Sequence, residues 1–143
     1  MMKTRLLELD VEFEARIPSG ALRATSRKLG RQILLALRVV QPDPRLLTLA
    51  DLFSIGPHQP IVLGAAVASM GLDPYSAALA AVYESATGPA TAAIRLLGLA
   101  PFEVYAMLAR AAGPADQLPS HSSPLLDIFA ERHAGSEMRL FAS

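Results

Sequence analysis

Residues 19–40 read SGALRATSRKLGRQILLALRVV and decide the fold class of the chain. Apolar side chains recur in this stretch at spacings of three, four and seven, which is the period of a helix with one apolar face; they are Leu22, Leu29, Ile33, Leu37 and Val40. Ser19 is a favourable N-cap, and a proline at position 42 predicts the end of the helix. The stretch therefore predicts one long amphipathic helix.

Two small residues predict how this helix packs. Ser26 and Gly30 lie on or beside its apolar stripe. A glycine inside a helix costs about 1 kcal/mol relative to alanine, so we expect Gly30 to be there to let another helix approach closely. The opposite side carries four arginines, which we expect to face solvent: Arg23, Arg27, Arg31 and Arg38.

Proline and glycine divide the rest of the chain into further helices. Asp43-Pro44 and Asp73-Pro74 each combine an N-cap with a proline at the first helical position, and Gly71 is a C′ glycine. We expect the helix from Pro74 to kink or pause at Pro89. Further helices are predicted at 101–112 and 124–133, and no stretch has a strand pattern of useful length.

These elements predict an all-α protein, a single-domain bundle of about six helices without a sheet. We place the helical domain at residues 18–133. Residues 1–17 are interpreted as a variable N-terminal segment, and residues 134–143 as a tail that is too short and polar to fold alone.

Composition excludes several classes of protein. The chain has no cysteine, which rules out disulfides and thiolate chemistry, and its formal net charge is zero. Residues 1–17 lack the apolar core of a signal peptide. The apolar stretch 61–82 is cut at 71–74 into pieces too short to span a bilayer. We therefore expect a cytoplasmic protein that does not contact membranes.

No group of residues predicts catalysis. The three histidines, His58, His121 and His133, lack the spacing of metal ligands, and we interpret His133 as favourable at a helix C-terminus. There is no nucleophile elbow and no glycine-rich phosphate loop, and the acidic residues are scattered singly. We expect no enzymatic activity, no bound metal and no cofactor.

Parts of the sequence suggest two other binding functions. The basic side with Arg23, Arg27 and Arg31 could contact nucleic acid, but the chain is neutral and no aromatic residues alternate with the arginines for base stacking. An acidic protein partner is favoured over nucleic acid for the same reason. A small-ligand domain would need a closed apolar pocket with convergent polar groups, and nothing in the sequence marks one.

Two further positions suggest contacts with other chains. Arg95 follows a very apolar stretch, so it must reach the surface, bond to helix carbonyls or to Glu84 or Glu103, or serve an interface. The tail places Arg139 beside Leu140 and Phe141, a combination that can become ordered when it docks on a partner. The residues alone leave the alternatives for Arg95 open.

A series of motifs in this order resembles the UreF family of urease accessory proteins, in its actinobacterial form. The resemblance covers about residues 20–143 and lacks the family's first segment, a Pro-x-Gly motif followed by a helix containing Ser-Gly, so we expect the chain to correspond to the greater part of a family member. The residues that carry it are Ser26-Arg27, Gly30-Arg31, Gln59-Pro60-Ile61-Val62, Gly64, Gly71-Leu72-Asp73-Pro74, Ala93-Ile94-Arg95-Leu96, Pro124-Leu125-Leu126-Asp127, His133 and Arg139-Leu140-Phe141-Ala142-Ser143.

The resemblance implies a dimeric, all-α scaffold for urease maturation. Such a protein binds the accessory protein D, also called H, and recruits the GTPase UreG, and the assembly delivers nickel to apo-urease. It implies partner-binding roles for His133 and for Arg139, Leu140 and Phe141, with Arg139 fixing the tail on the D/H protein. It also implies that Tyr83 and Arg95 lie in a dimer interface, and that nickel is handled by the complex rather than held by this chain.

Overall fold

The computed structural model describes residues 2–111 and 124–135, and these residues form helices joined by short connections. The helices are α1 (Met2–Arg16), α2 (Gly20–Val40), α3 (Pro44–Leu52), α4 (Gln59–Ser69), α5 (Pro74–Leu97), α6 (Pro101–Ala111) and α7 (Pro124–Ala134). No strand occurs among the described residues. The all-α prediction is confirmed, and α1 adds a helix where the sequence suggested only a variable segment.

The helices belong to two compact units. The first contains α1, α2, α3, α4 and α7, and the second contains α5 and α6. In the first unit α2 is the central element, since α3, α4 and α7 all contact it, while α1 contacts α4. No helix of the described residues has both the length and the apolar character needed to cross a bilayer.

The core of the first unit is small and entirely apolar. It is formed by one residue from α2, three from α3 and its C-cap, and one from α4: Leu34, Leu46, Leu49, Phe53 and Val62. Leu46 and Val62 are completely buried. Burial of such side chains contributes roughly 1.5 to 3 kcal/mol each, so this cluster holds α2, α3 and α4 together.

Side-chain caps define where the helices begin. The Ser19 hydroxyl accepts a hydrogen bond from the Leu22 amide at 3.1 Å, which caps α2. At α3 and α5 the side chains of Asp43 and Asp73 play the same role, each followed by proline at the first helical position. These caps lie where the sequence predicted them, because each satisfies an amide that the first helical turn leaves without a partner.

Helix α4 ends in a Schellman motif. The Leu72 amide donates to the Val67 carbonyl at 3.1 Å, and the Gly71 amide donates to the Ala68 carbonyl at 3.1 Å. Gly71 adopts a φ of 76°, which favours glycine. The predicted C′ glycine is therefore confirmed by its geometry.

The second unit consists of two helices with few buried side chains. Helix α5 continues as one helix through Pro89, where the sequence predicted a kink or pause. No residue of α5 is fully buried. Large apolar side chains of both helices are exposed instead, among them Tyr83 at 66% and Phe102 at 90%. The unit thus presents extensive apolar surface.

Candidate partner-binding surfaces

A buried polar cluster fixes α1 against the rest of the first unit. The Arg27 guanidinium on α2 lies 3.0 Å from Asp10 and 2.6 Å from Glu14, two acids one turn apart on α1. It also donates to the Gly56 carbonyl at 2.8 Å. Only 14% of the Arg27 side chain is exposed. Three segments of the chain therefore meet at one guanidinium.

His58 completes this polar cluster. Its ring is fully buried, and Nε2 lies 2.7 Å from Glu14 Oε2, while its backbone amide donates to Asp10 at 3.2 Å. The Phe13 ring covers it, with the ring centroids 5.0 Å apart. Hydrogen bonds from Arg27 and then from His58 hold the pKa of Glu14 below its ordinary value. The cluster thus stabilises the charged carboxylate at neutral pH.

The cluster corrects the expectation that Arg27 faces solvent. The prediction for Arg27 was wrong because α1 packs two acids against that side of α2. Arg23 is also engaged, since it lies 2.9 Å from Glu14 and donates to the carbonyls of Ile17 and Pro18. Because Arg23 and Arg27 are ion-paired with acids of α1, the Arg23/Arg27/Arg31 side is not a free phosphate-binding surface, and the nucleic-acid alternative is not favoured.

Gly30 and Ser26 lie where α2 meets the start of α4. Gly30 is buried, and a Cβ there would overlap the Pro57 carbonyl oxygen and lie 3.1 Å from the Gln59 amide nitrogen. The Ser26 hydroxyl accepts a hydrogen bond from the same amide at 3.2 Å. The close approach that the sequence suggested is made to the segment leading into α4, and it leaves no room for a larger residue.

Helix α7 is attached to the N-terminus of α2 by one carboxylate. Glu131 Oε1 accepts hydrogen bonds from the Ala21 amide at 2.8 Å and from the Ser19 hydroxyl at 2.6 Å. The Ala21 bond, followed by the Ser19 bond, lowers the pKa of Glu131. An acid at this position also interacts favourably with the helix dipole of α2. Local sequence patterns do not reveal this role of Glu131, because it lies 110 residues from Ala21 along the chain.

The apolar side chains of α7 face away from this attachment. Half-buried positions recur at spacings of three and four and carry small or acidic residues: Asp127, Ala130 and Ala134. The large apolar residues are exposed by 55 to 67% of their surface: Leu125, Leu126, Ile128 and Phe129. Such an arrangement leaves an apolar helix face available to another protein.

The predicted partner-binding residues lie at the end of α7 or outside the described residues. His133 is exposed in the last turn of α7, as the sequence predicted for a histidine favourable at a helix C-terminus. Arg139, Leu140 and Phe141 lie outside the described residues, as does His121.

Tyr83 and Arg95 are both exposed on α5. Arg95 is in the last turn of that helix and makes no hydrogen bond or ion pair within the described ranges. In this part of the chain, no hydrogen bond or ion pair therefore joins Arg95 to Glu84 or Glu103. Both side chains are available for contact with another chain.

The described residues contain no group of three or more histidines, cysteines or carboxylates that could hold a metal ion. One open cleft, of about 250 Å³, lies beside α2 and α3. It is not the closed pocket that a small-ligand domain requires. In contrast, large apolar side chains are exposed on α7 in one unit and on α5 and α6 in the other.

The fold and these surfaces define the class: an all-α protein with large exposed apolar helix faces. Comparison with known sequences gives the particular family. The model of the UreF family matches residues 2–112, which includes α1. The chain belongs to the UreF family of urease accessory proteins.

Curated relatives support this assignment. The chain is 41% identical over 142 residues to the urease accessory protein UreF of Mycolicibacterium vanbaalenii, and that match covers 94% of the chain and 64% of the relative. It is 42% identical over 144 residues to UreF of Mycobacterium sp. strain JLS, covering 94% of the chain and 65% of the relative.

UreF of Mycobacterium tuberculosis strain H37Rv is 36% identical over 144 residues, which cover 95% of the chain and 66% of that protein. The chain thus spans just under two thirds of the length of these relatives. No solved structure matches it. The resemblance inferred from the sequence motifs is confirmed at the level of the family.

Proposed function

We propose that the chain acts as a scaffold in urease maturation, binding the D/H accessory protein and recruiting the GTPase UreG so that the complex delivers nickel to apo-urease. Membership of the UreF family supports the general role. In this proposal the chain works in the cytoplasm, has no catalytic activity and needs no cofactor. Nickel is the cargo of the complex and is not held by this chain.

The observation that carries the proposal is the orientation of α7. Helix α7 contacts α2 and has its small residues half-buried, while four large apolar residues on neighbouring positions are exposed. A helix anchored in this way can lay its apolar side into a groove of another protein, which is a common mode of recognition. We therefore assign the outward face of α7 to the D/H protein.

The tail extends the same surface in this proposal. Residues 136–143 follow α7 after Gly135, and they contain Arg139 two residues after Glu137 and directly before the apolar pair Leu140 and Phe141. We assign Arg139 to an ion pair or hydrogen bond with the D/H protein, and the apolar pair to contact beside it. His133, exposed in the last turn of α7, lies between the helix face and the tail.

A second surface serves self-association. Tyr83 is 66% exposed on α5, and Arg95 on the same helix makes no hydrogen bond or ion pair with any described residue. Exposed tyrosine and arginine are among the residues that contribute most to protein interfaces. We assign these two residues to a homodimer contact formed by the α5–α6 unit.

Co-purification tests the assignment of α7 and the tail. The full chain should be retained by tagged D/H protein, and UreG should be retained only when both are present. A chain that lacks residues 134–143 should lose most of the D/H protein while keeping the helical circular dichroism of the full chain. Undiminished recovery of the D/H protein with this deletion would refute the assignment.

A further inference from the structure

An open cleft runs along the second half of α2, beside α3 and the loop that follows it. Its volume is about 250 Å³, and its principal lining residues are Arg31, Leu34, Leu35, Arg38, Phe53 and Pro57. None of them belongs to the surfaces assigned above to the D/H protein or to dimerisation. The cleft is therefore independent of the proposed function.

The floor of the cleft is apolar and belongs to the packed core. Leu34 and Phe53 belong to the core cluster and are 4% and 8% exposed. Leu35 at the rim is 61% exposed, and Val39 one turn further along α2 is 83% exposed. A firm apolar floor with an exposed apolar rim is typical of a surface that packs against a side chain from another molecule.

Two guanidinium groups lie along the cleft. Arg31 and Arg38 are seven residues apart on α2, so they project from the same side of the helix about 10 Å apart. The Arg31 Nη1 donates to the Ile55 carbonyl at 2.8 Å, which orients this side chain. Gly56 lies against the Arg31 stem, where a Cβ would overlap Cγ. Arg31 is thus held in place before any partner binds.

The cleft has no acid to balance these charges. None of the residues that line it is an aspartate or glutamate. Arg38 is exposed and makes no hydrogen bond or ion pair with residues 2–111 or 124–135. The cleft therefore combines an apolar floor with two unneutralised cationic groups, and it is complementary to a ligand with the opposite charge pattern.

From this complementarity we propose that the cleft binds a segment of a partner protein in which two carboxylates flank an apolar side chain. The carboxylates pair with Arg31 and Arg38, and the apolar side chain packs on Leu34 and Phe53. Residues seven apart in a helix lie about 10 Å apart on the same side, and residues four apart on one face of an extended segment lie about 13 Å apart, so either can place a carboxylate near each guanidinium with an apolar side chain between them. The occupant is an acidic, apolar peptide segment.

Other ligands fit this cleft less well. Nucleic acid would use more than two cations and exposed aromatic rings for stacking, whereas the Phe53 ring is buried in the floor. A drug-sized molecule generally needs an enclosed pocket of at least about 300 Å³. A protein segment can use an open cleft, because it gains affinity from the apolar contact and its specificity from the two ion pairs.

Peptide selection on the full chain tests the proposal directly. A random peptide library displayed on phage is selected against the immobilised chain, and the enriched peptide is labelled with fluorescein for anisotropy measurements. Enriched peptides should contain two acids that flank a large apolar residue. Arg38→Glu should weaken their binding at least about tenfold, because it replaces an attraction with a repulsion.

A matched variant controls for the change in net charge. Arg110→Glu makes the same substitution in the last turn of α6, as Arg38→Glu does in the last turn of α2, so the two variants perturb their helix ends alike. Arg110→Glu should bind the peptide like the unaltered chain. If Arg38→Glu fails to fold by circular dichroism, Leu35→Asn at the exposed rim provides the same test.

Several results would overturn the proposal. The selection could enrich no peptides, or it could enrich peptides without paired acids. Arg38→Glu could also bind the enriched peptide as well as the unaltered chain does. An Arg38-dependent affinity for fluorescein-labelled oligothymidine that exceeds the peptide affinity would identify a nucleic-acid site instead. Self-association abolished by Arg38→Glu alone would identify a second copy of the chain as the occupant.

Discussion

At the scale of single residues, the first unit depends on polar contacts inside an otherwise apolar packing. Arg27 joins two acids of α1 to the carbonyl of Gly56, and the buried His58 ring adds a further contact to Glu14. A buried charge is tolerated only when it is paired and hydrogen-bonded. The cluster therefore specifies where α1 packs, and loss of one member leaves the others uncompensated.

Arg27→Met tests the importance of this cluster. The change keeps an unbranched apolar stem and leaves Asp10 and Glu14 without their common cation, so we expect a loss of about 3 kcal/mol in the free energy of unfolding. Urea denaturation followed by circular dichroism measures it. Arg5→Met is the control, because it removes an exposed ion pair between Arg5 and Glu8 within α1. It should lower the free energy of unfolding by at most about 1 kcal/mol. Equal losses in the two variants would show that the cluster contributes no more than a surface pair.

Gly30→Ala tests the close approach of α2 to the start of α4. Alanine normally stabilises a helix interior relative to glycine, but here its methyl group would overlap backbone atoms of Pro57. We expect a net destabilisation of about 1 to 3 kcal/mol by urea denaturation. Gly64→Ala in α4 is the control, because a Cβ there meets nothing within 4 Å, and it should stabilise by up to about 1 kcal/mol. A stabilised Gly30→Ala variant would contradict the observed packing.

At the scale of helices, the sequence predicted those elements whose ends are marked by local chemistry. Ser19, Asp43 and Asp73 cap the helices that follow them, and Gly71 ends α4, as their residue types indicated. These features could be predicted because each depends on residues within one turn of the helix end.

Helix α1 was missed for a physical reason. Its inward side repeats at spacings of three and four but carries charge as well as apolar groups: Leu6, Asp10, Phe13 and Glu14. A search for an apolar stripe overlooks such a face, because Asp10 and Glu14 are compensated by Arg27, which is distant in sequence. Buried His58 was overlooked for the same reason. Long-range ion pairs cannot be predicted from local spacing.

The attachment of α7 predicts a specific effect of losing Glu131. An isolated helix of this length is marginally stable, so α7 depends on its contacts with α2. Glu131→Ala removes both hydrogen bonds to the start of α2, and we expect faster amide hydrogen exchange throughout α7 at neutral pH.

Arg132→Ala on the neighbouring exposed position is the control for this experiment. It should leave amide exchange in α7 unchanged, because Arg132 makes no hydrogen bond or ion pair in the described part of the chain. Unaltered protection of α7 in Glu131→Ala would mean that the apolar and small-residue contacts hold the helix without the carboxylate.

At the scale of the whole molecule, the chain presents apolar helix faces on both of its units. One is the outward side of α7, and the other is the exposed surface of α5 and α6. The chain belongs to the UreF family, and the proposed function assigns these two surfaces to the D/H protein and to a second copy of the chain. The sequence motifs predicted the family, whereas the orientation of α7 could be known only from its long-range contact with α2.

The most direct test of this account compares Phe129→Asp on α7 with Tyr83→Asp on α5 in the full chain. Affinity for the D/H protein is measured by isothermal titration calorimetry, and self-association by analytical ultracentrifugation. We predict that Phe129→Asp loses D/H binding and still self-associates, whereas Tyr83→Asp loses self-association and still binds the D/H protein, because a charge in a buried apolar contact opposes association. Undiminished D/H binding by Phe129→Asp would contradict the account.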